Sequence, residues 1–363
     1  MIGFLVLLLS GLSGSTASSG LPTWCMRFMR LRKTGSFTLP TICEAIEAGM
    51  TVPVHRSPRS NSIPRVLVDF LTNENMQLSL IFDTGSNHFH VEKMVGKFVK
   101  HGAYSQYVDR ERDSGIKTDV CLLYGAGGSI CMVSVENTVT ERIRIGPVEF
   151  QATVGLTSSN QNIQIGAGIL GAGPDSAWTR KVSVFGYIAG KMGQNGRILV
   201  GYHDWSTYCL GRKSPQFQPT AHEKMKWMLS GSVKVGSGMS EVVDWEIDTG
   251  TNHVVLDKIA YDSFVKELAR SGAKMVQSSP VGLSVTNCLS YASWPPVILR
   301  IGLNSNSVTV KLNPGKYLSA VTQDTCVLQI ARGGSYGIIG TSILDQFLTV
   351  FDSHKRRIGF CSI

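Results

Sequence analysis

The chain has no apolar stretch approaching the ~20 residues a helix needs to span a bilayer; its longest candidate, Ile2 to Ser10, is far shorter. It has no Asn-x-Ser/Thr sequon, so glycan-dependent sorting is not expected. None of its eight cysteines stands in Cys-x-x-Cys spacing, which argues against a zinc site. The glycine-rich run from Gly125 to Gly128 is not followed by Gly-Lys-Ser/Thr, so a nucleotide loop is not expected. No basic stripe carries interleaved aromatics, which leaves nothing to support nucleic-acid binding. Long stretches of 3.6-residue periodicity are scarce, so helices are not the main element.

What is present points to a globular β protein. With 363 residues and 43% hydrophobic content, the chain is long enough for two cored domains and unlike a disordered or fibrous one. Short runs rich in Val, Ile and Leu are interrupted repeatedly by turn formers, the pattern of a mostly β fold. Residues 1–17 combine an apolar core with Ser15 and Ala17 placed as in a cleavage site, so a signal peptide is expected, although its first residues hold no Lys or Arg. Eight cysteines then fit an oxidising compartment and disulfides. Cys121 and Cys131 flank a glycine-rich turn as cross-strand neighbours would; Cys288 and Cys326 both lie in the C-terminal half; Cys209 with Cys361 and Cys25 with Cys43 would remain. The net charge is +9, and residues 1–51 add little to it, with Arg27, Arg30, Arg32 and Lys33 set against Glu44 and Glu47. A basic surface favours acidic partners, but scattered solvated charges account for this one. Lys355-Arg356-Arg357, between two short apolar runs, reads as a hairpin tip.

Two near-copies of one motif organise the chain. Ile81 to Val91 reads I-F-D-T-G-S-N-H-F-H-V, and Glu246 to Leu256 reads E-I-D-T-G-T-N-H-V-V-L. Each puts a carboxylate, Asp83 or Asp248, on a glycine-bearing turn after a largely apolar run. An apolar-apolar-glycine element follows each at nearly the same distance, Gly168-Ile169-Leu170-Gly171 and Gly337-Ile338-Ile339-Gly340. One Asp-Thr-Gly alone is often only a turn, with Asp capping its own backbone. Two matched copies with matched partners describe two versions of one lobe. His88, His90 and His253 lack carboxylate or cysteine partners at ligand spacing, so no metal is expected there.

These residues resemble the pepsin-like aspartic endopeptidases from about Val52 to Ile363. Val66 to Phe70 and Met76 to Phe82 are similar to that family's first hairpin, Tyr124-Gly125-Ala126-Gly127-Gly128 to the tip of its substrate-covering flap, Trp227 to Val235 to the opening strand of its second lobe, and Gly337 to Phe360 to its C-terminal signature. The resemblance implies a mostly β, bilobal fold with two barrel-like lobes and a cleft between them. It divides the chain into a signal peptide (1–17), a basic prosegment (18–51), an N-terminal lobe (52–210) and a C-terminal lobe (211–363). It implies that Asp83 and Asp248 activate a water between them, that Gly85 and Gly250 allow the turns to approach, that Thr84 and Thr249 tie the turns together, and that Ser86 and Thr251 hydrogen-bond the outer carboxylate oxygens. Tyr124 and Gly125 would belong to the flap, and the family's disulfide in the region of Cys288 and Cys326 supports that pairing. His90 stands where the family usually has a tryptophan bonded to the flap tyrosine, and titration of its imidazole near the ordinary ~6.5 would add a neutral-side inflection to the pH profile. The function implied is hydrolysis of extended polypeptides at acidic pH by a monomeric zymogen without cofactor, in the secretory pathway, outside the cell or in an acidic endomembrane compartment. The alternative is a catalytically inactive protein of the same fold that binds peptides or proteins.

Overall fold

The computed structural model describes residues 51–56, 63–71, 76–92, 100–101, 104–105, 117–122, 133–157, 167–190, 195–221, 225–238, 240–279, 282–286, 288–303, 305–321 and 325–363. The signal-peptide reading and nearly all of the prosegment reading fall outside these residues, as do Tyr124, Gly125, Cys131, Cys25 and Cys43.

Alternation builds the strands. In Arg65–Phe70 the side chains of Val66, Val68 and Phe70 turn inward, while Leu67 and Asp69 face outward, as a half-buried strand requires. Met228–Val235 repeats the scheme, with Ser230, Ser232 and Lys234 on the more open face. Met76–Asp83 starts in the same way and ends fully buried from Ile81 to Asp83, because its last residues lie in the middle of a sheet.

Seven strands form the first sheet in the order Arg65–Phe70, Met76–Asp83, Gly168–Gly171, Phe89–Glu92, Val148–Thr157, Val133–Ile145, Lys117–Leu122. Seven form the second: Val308–Leu312, Val297–Ile301, Met228–Val235, Ser240–Ile247, Gly337–Ile339, Val254–Leu256, Ile330–Arg332. Both carry the same central device. The strand leading to the aspartate runs parallel to the glycine element, which runs antiparallel to the strand leaving the turn.

A third sheet belongs to neither half alone. Its order is Thr51–Val54, Gly196–Val200, Val184–Ile188, Phe347–Asp352, Arg357–Ser362, Gln216–Pro219, so strands from both sides of the boundary expected at 210/211 hydrogen-bond directly. The Lys355–Arg357 cluster closes the hairpin between Phe347–Asp352 and Arg357–Ser362, with Lys355 and Arg356 exposed. Further ties cross the same boundary. Arg56 forks onto Asp345 at 2.5 and 2.9 Å and also reaches the Tyr187 hydroxyl, the bidentate geometry that suits guanidinium and carboxylate. Cys209 and Cys361 form a disulfide, and Cys326 is also disulfide-bonded.

The core runs through the middle of the molecule. Phe82, Trp178, Phe185, Trp227 and Phe351 are buried and packed ring against ring, with Phe185 and Phe351 stacked at 4.9 Å. Such pairs add about 0.5–1.5 kcal/mol each beyond area burial. Phe82 directly precedes Asp83, so the aromatic floor fixes the height of the first turn. No helix among the described residues is long and apolar enough to cross a membrane.

Candidate active site

Each Asp-Thr-Gly turn leaves the end of a buried strand, and the two turns meet head to head. Thr84 N–H donates to Thr249 Oγ1 at 3.1 Å and Thr249 N–H donates to Thr84 Oγ1 at 2.9 Å. Each hydroxyl donates onward into the other lobe, Thr84 to the Ile247 carbonyl at 2.8 Å and Thr249 to the Phe82 carbonyl at 2.6 Å. Both threonines are fully buried, where four satisfied bonds of this kind are worth far more than any left open.

The glycines are required by space. A Cβ on Gly85 would lie 2.6 Å from Asp248 Cγ, and one on Gly250 would lie 2.6 Å from Asp83 Cγ. Gly171 and Gly340 play matching parts behind the turns. A Cβ on either would run into the backbone of the neighbouring turn, at Ser86 and His88 in one half and at Thr251 and His253 in the other. Further backbone bonds from Ala172 N–H to the Asp83 carbonyl and from Thr341 N–H to the Thr251 carbonyl pin the two turns down.

The carboxyls are hydrogen-bonded to each other and nearly buried, but their donors are unequal. Asp248 accepts from Gly250 N–H at 2.7 Å, from Gly85 N–H at 3.2 Å and from the Thr251 hydroxyl at 2.6 Å. Asp83 accepts from Gly85 N–H at 2.9 Å. The Ser86 hydroxyl, expected on the outer oxygen of Asp83, instead accepts from His88 N–H at 3.1 Å, because it is the nearest acceptor for the backbone of its own tight turn. Burial, followed by the charge of Asp248, pushes Asp83 well above the usual carboxylate range.

His90 lies in Phe89–Glu92, fully buried and registered against Ile169 and Gly155. Burial, with His88 adding to it, pulls its imidazole down to about 4, so the expected inflection near 6.5 is moved to the acidic side. Among the described residues no group of three or more His, Cys, Asp or Glu side chains is placed to hold a metal.

The model of the eukaryotic aspartyl protease family matches residues 71–363. The chain belongs to that family. Mucorpepsin from Rhizomucor pusillus is 30% identical over 124 residues, which is 32% of this chain and 28% of that protein. Pepsin B from Canis lupus familiaris is 33% identical over 117 residues, 31% of this chain and 28% of its own length. The chain thus matches less than a third of the length of these curated relatives. Among solved structures, the aspartic proteinase from Irpex lacteus superposes with a TM-score of 0.63 at 18% identity, over 86% of this chain and 96% of that one. The pepsin-like fold is therefore shared well beyond the stretch of sequence likeness.

Three residues beside the aspartyl protease turns escape a reading by motif. Glu246, two positions before Asp248, is 3% exposed and accepts from Lys226 Nζ at 2.8 Å. Lys226 Nζ also donates to the Tyr336 hydroxyl at 2.6 Å and lies 4.5 Å from that ring's centre. Burial and the neighbouring Asp248 push Glu246 up to about 7, against the pull of Lys226 and Tyr336. The signal was available in the repeat itself, since Glu246 occupies the place of Ile81, a carboxylate inside an otherwise apolar run.

Proposed function

We propose that the chain is an aspartic endopeptidase that hydrolyses extended polypeptides through Asp83 and Asp248. The observation that carries this is the pair of facing carboxyls, hydrogen-bonded to each other and backed by glycines that leave no room for a Cβ. Two carboxyls this close do not both ionise cheaply, so one proton is shared over the acid range; the dyad of this family is a standard worked case of the effect. Burial and the neighbouring Asp248 push Asp83 toward its protonated form, so the shared proton rests on Asp83.

Asp248 then takes a proton from a water held between the carboxyls as the water oxygen attacks the scissile carbonyl carbon. Asp83 gives its proton to the carbonyl oxygen, and a tetrahedral diol forms without an acyl-enzyme. Collapse breaks the C–N bond, with Asp248 protonating the leaving nitrogen and Asp83 recovering its proton from a diol hydroxyl. Thr84 and Thr249 hold the two turns in register, and Thr251 orients Asp248. Tyr124 and Gly125 would cover the substrate as part of a flap, with the peptide held partly by backbone hydrogen bonds.

The disulfide between Cys209 and Cys361 supports folding in an oxidising compartment. With the signal-peptide pattern, it favours a secreted or acidic endomembrane zymogen whose basic stretch 18–51 is removed on acidification. The test is digestion of a peptide library by the full chain at several pH values, with and without an inhibitor carrying a hydroxyl in place of the scissile carbonyl. Cleavage at acid pH that the inhibitor abolishes is expected. Binding of peptides without cleavage at any pH would overturn the reading in favour of an inactive binding protein.

A further inference from the structure

The second turn has a charged neighbour that the first lacks. Glu246 is the next-to-last residue of strand Ser240–Ile247 and Asp248 directly follows that strand, near enough for the charge of one to act on the other. The cross-strand partners of Glu246 are Met228 and Ile338, both apolar, and only 3% of Glu246 meets solvent. A carboxylate in such a place needs a partner, and Lys226 supplies it from the segment just before Met228–Val235, braced by the hydroxyl of Tyr336 just before Gly337–Ile339. The charged and titratable groups facing Glu246 are thus Lys226, Tyr336, Asp248 and, across the pair, Asp83. The residues on either side of Lys226 are tied to the first lobe, the Met225 carbonyl by Asn87 Nδ2 at 2.7 Å and the Trp227 indole by the Ala172 carbonyl at 2.9 Å. The cation is therefore held at a fixed distance from both turns.

We propose that Glu246 is a positioning residue whose charge, balanced by Lys226 and Tyr336, sets how tightly the Asp83–Asp248 pair holds its shared proton and so fixes the neutral-side limit of peptide hydrolysis. This rests on the peptidase reading above. The three carboxyls and one ammonium form a single titrating array, in which protons are lost in steps that belong to the array and not to any one member. Glu246 ionises as the pH nears neutrality, and with glutamine in its place the Lys226 cation has no anion against it over that range, which favours early loss of the shared proton beside it. Removing both charges restores the balance.

The experiment is the pH profile of kcat/KM for the full, matured chain, its Glu246→Gln variant and the double variant Glu246→Gln with Lys226→Met. The neutral limb of Glu246→Gln should move toward acid by about one pH unit, the acid limb should stay, and the double variant should return most of the way. A neutral limb unmoved in Glu246→Gln, or moved and not restored in the double variant, would overturn the inference. A second measurement needs neither a folded variant nor turnover: carboxyl 13C titration of glutamate-labelled, unmodified protein. Glu246 should titrate in more than one step, following the aspartate pair as well as itself, and a simple one-proton curve defeats the inference. Coupled steps in a protein that cleaves nothing support the shared array while defeating the peptidase reading, so the two failures are separable.

Discussion

Strand Met76–Asp83 delivers Asp83 through Ile81 and Phe82, whereas strand Ser240–Ile247 leads to Asp248 through Glu246 and Ile247. The backbone around the two is repeated almost bond for bond, down to the glycine element behind each turn and the crossed threonines between them. The side chains around the carboxyls are not repeated. Thr251 donates to Asp248 while Ser86 serves a backbone N–H, and a buried acid stands in one half where the other has isoleucine. Duplicated geometry brings the two groups together, while the side chains that surround each of them differ.

The largest test of the comparison is to remove either partner. Asp83→Asn or Asp248→Asn should each lower kcat/KM by about 10⁴-fold or more in a protein that still melts cooperatively, with the double variant little worse, since residues acting as one unit are not additive. A folded single variant that cleaves well breaks the assignment of roles. Next come the glycines, where the two halves should behave alike. Gly85→Ala and Gly250→Ala each drive a methyl into the opposite aspartate, so each should cost about 1–3 kcal/mol by chemical denaturation and most of the activity.

The hydroxyls should then behave differently. Thr251→Ala removes a bond to a charged acceptor, worth ~1.5–3 kcal/mol, and should reduce kcat/KM by about tenfold or more. Ser86→Ala should cost less than about threefold. Equal losses would show that both hydroxyls serve the carboxyls. The smallest expected effect is on stability against pH. Glu246 has its value raised on folding from 4.5 to about 7, so it holds its proton more tightly in the native state. The stability this contributes is complete below the unfolded value and is lost as pH rises through the folded one. Tm should therefore fall across that window, and Glu246→Gln should flatten the fall by a few degrees, about 2–4 °C.

The paired motifs made much of this legible in the sequence. Asp83, Asp248, the threonines, both close-approach glycines and the elements at Gly168 and Gly337 are fixed by local backbone demands that recur in both halves, and repetition exposes such demands. The first hairpin was legible through the family resemblance, and the Lys355–Arg357 turn through the apolar runs on either side of it. The shared six-stranded sheet was not, because its pairings join Val184–Ile188 to Phe347–Asp352 and no local pattern records a partner so distant. Glu246 stood in the second motif in plain view, yet one charged residue in an apolar run does not reveal Lys226 or Tyr336 approaching from other segments. For His90, the residue type was readable and its burial was not, and burial decides its titration.

The sheet shared by the two halves also bears on how the molecule is made. Val184–Ile188 takes Gly196–Val200 on one side and Phe347–Asp352 on the other. On a ribosome the first of these neighbours emerges almost at once, and the second only after the whole C-terminal lobe has been threaded out. Until then Val-Phe-Gly-Tyr-Ile offers an open, apolar strand edge, the kind of surface on which nascent chains pair with one another. The architecture that lets two turns face each other across a pair of acids thus postpones closure of this sheet to the end of synthesis, and gives chaperones a defined segment to guard.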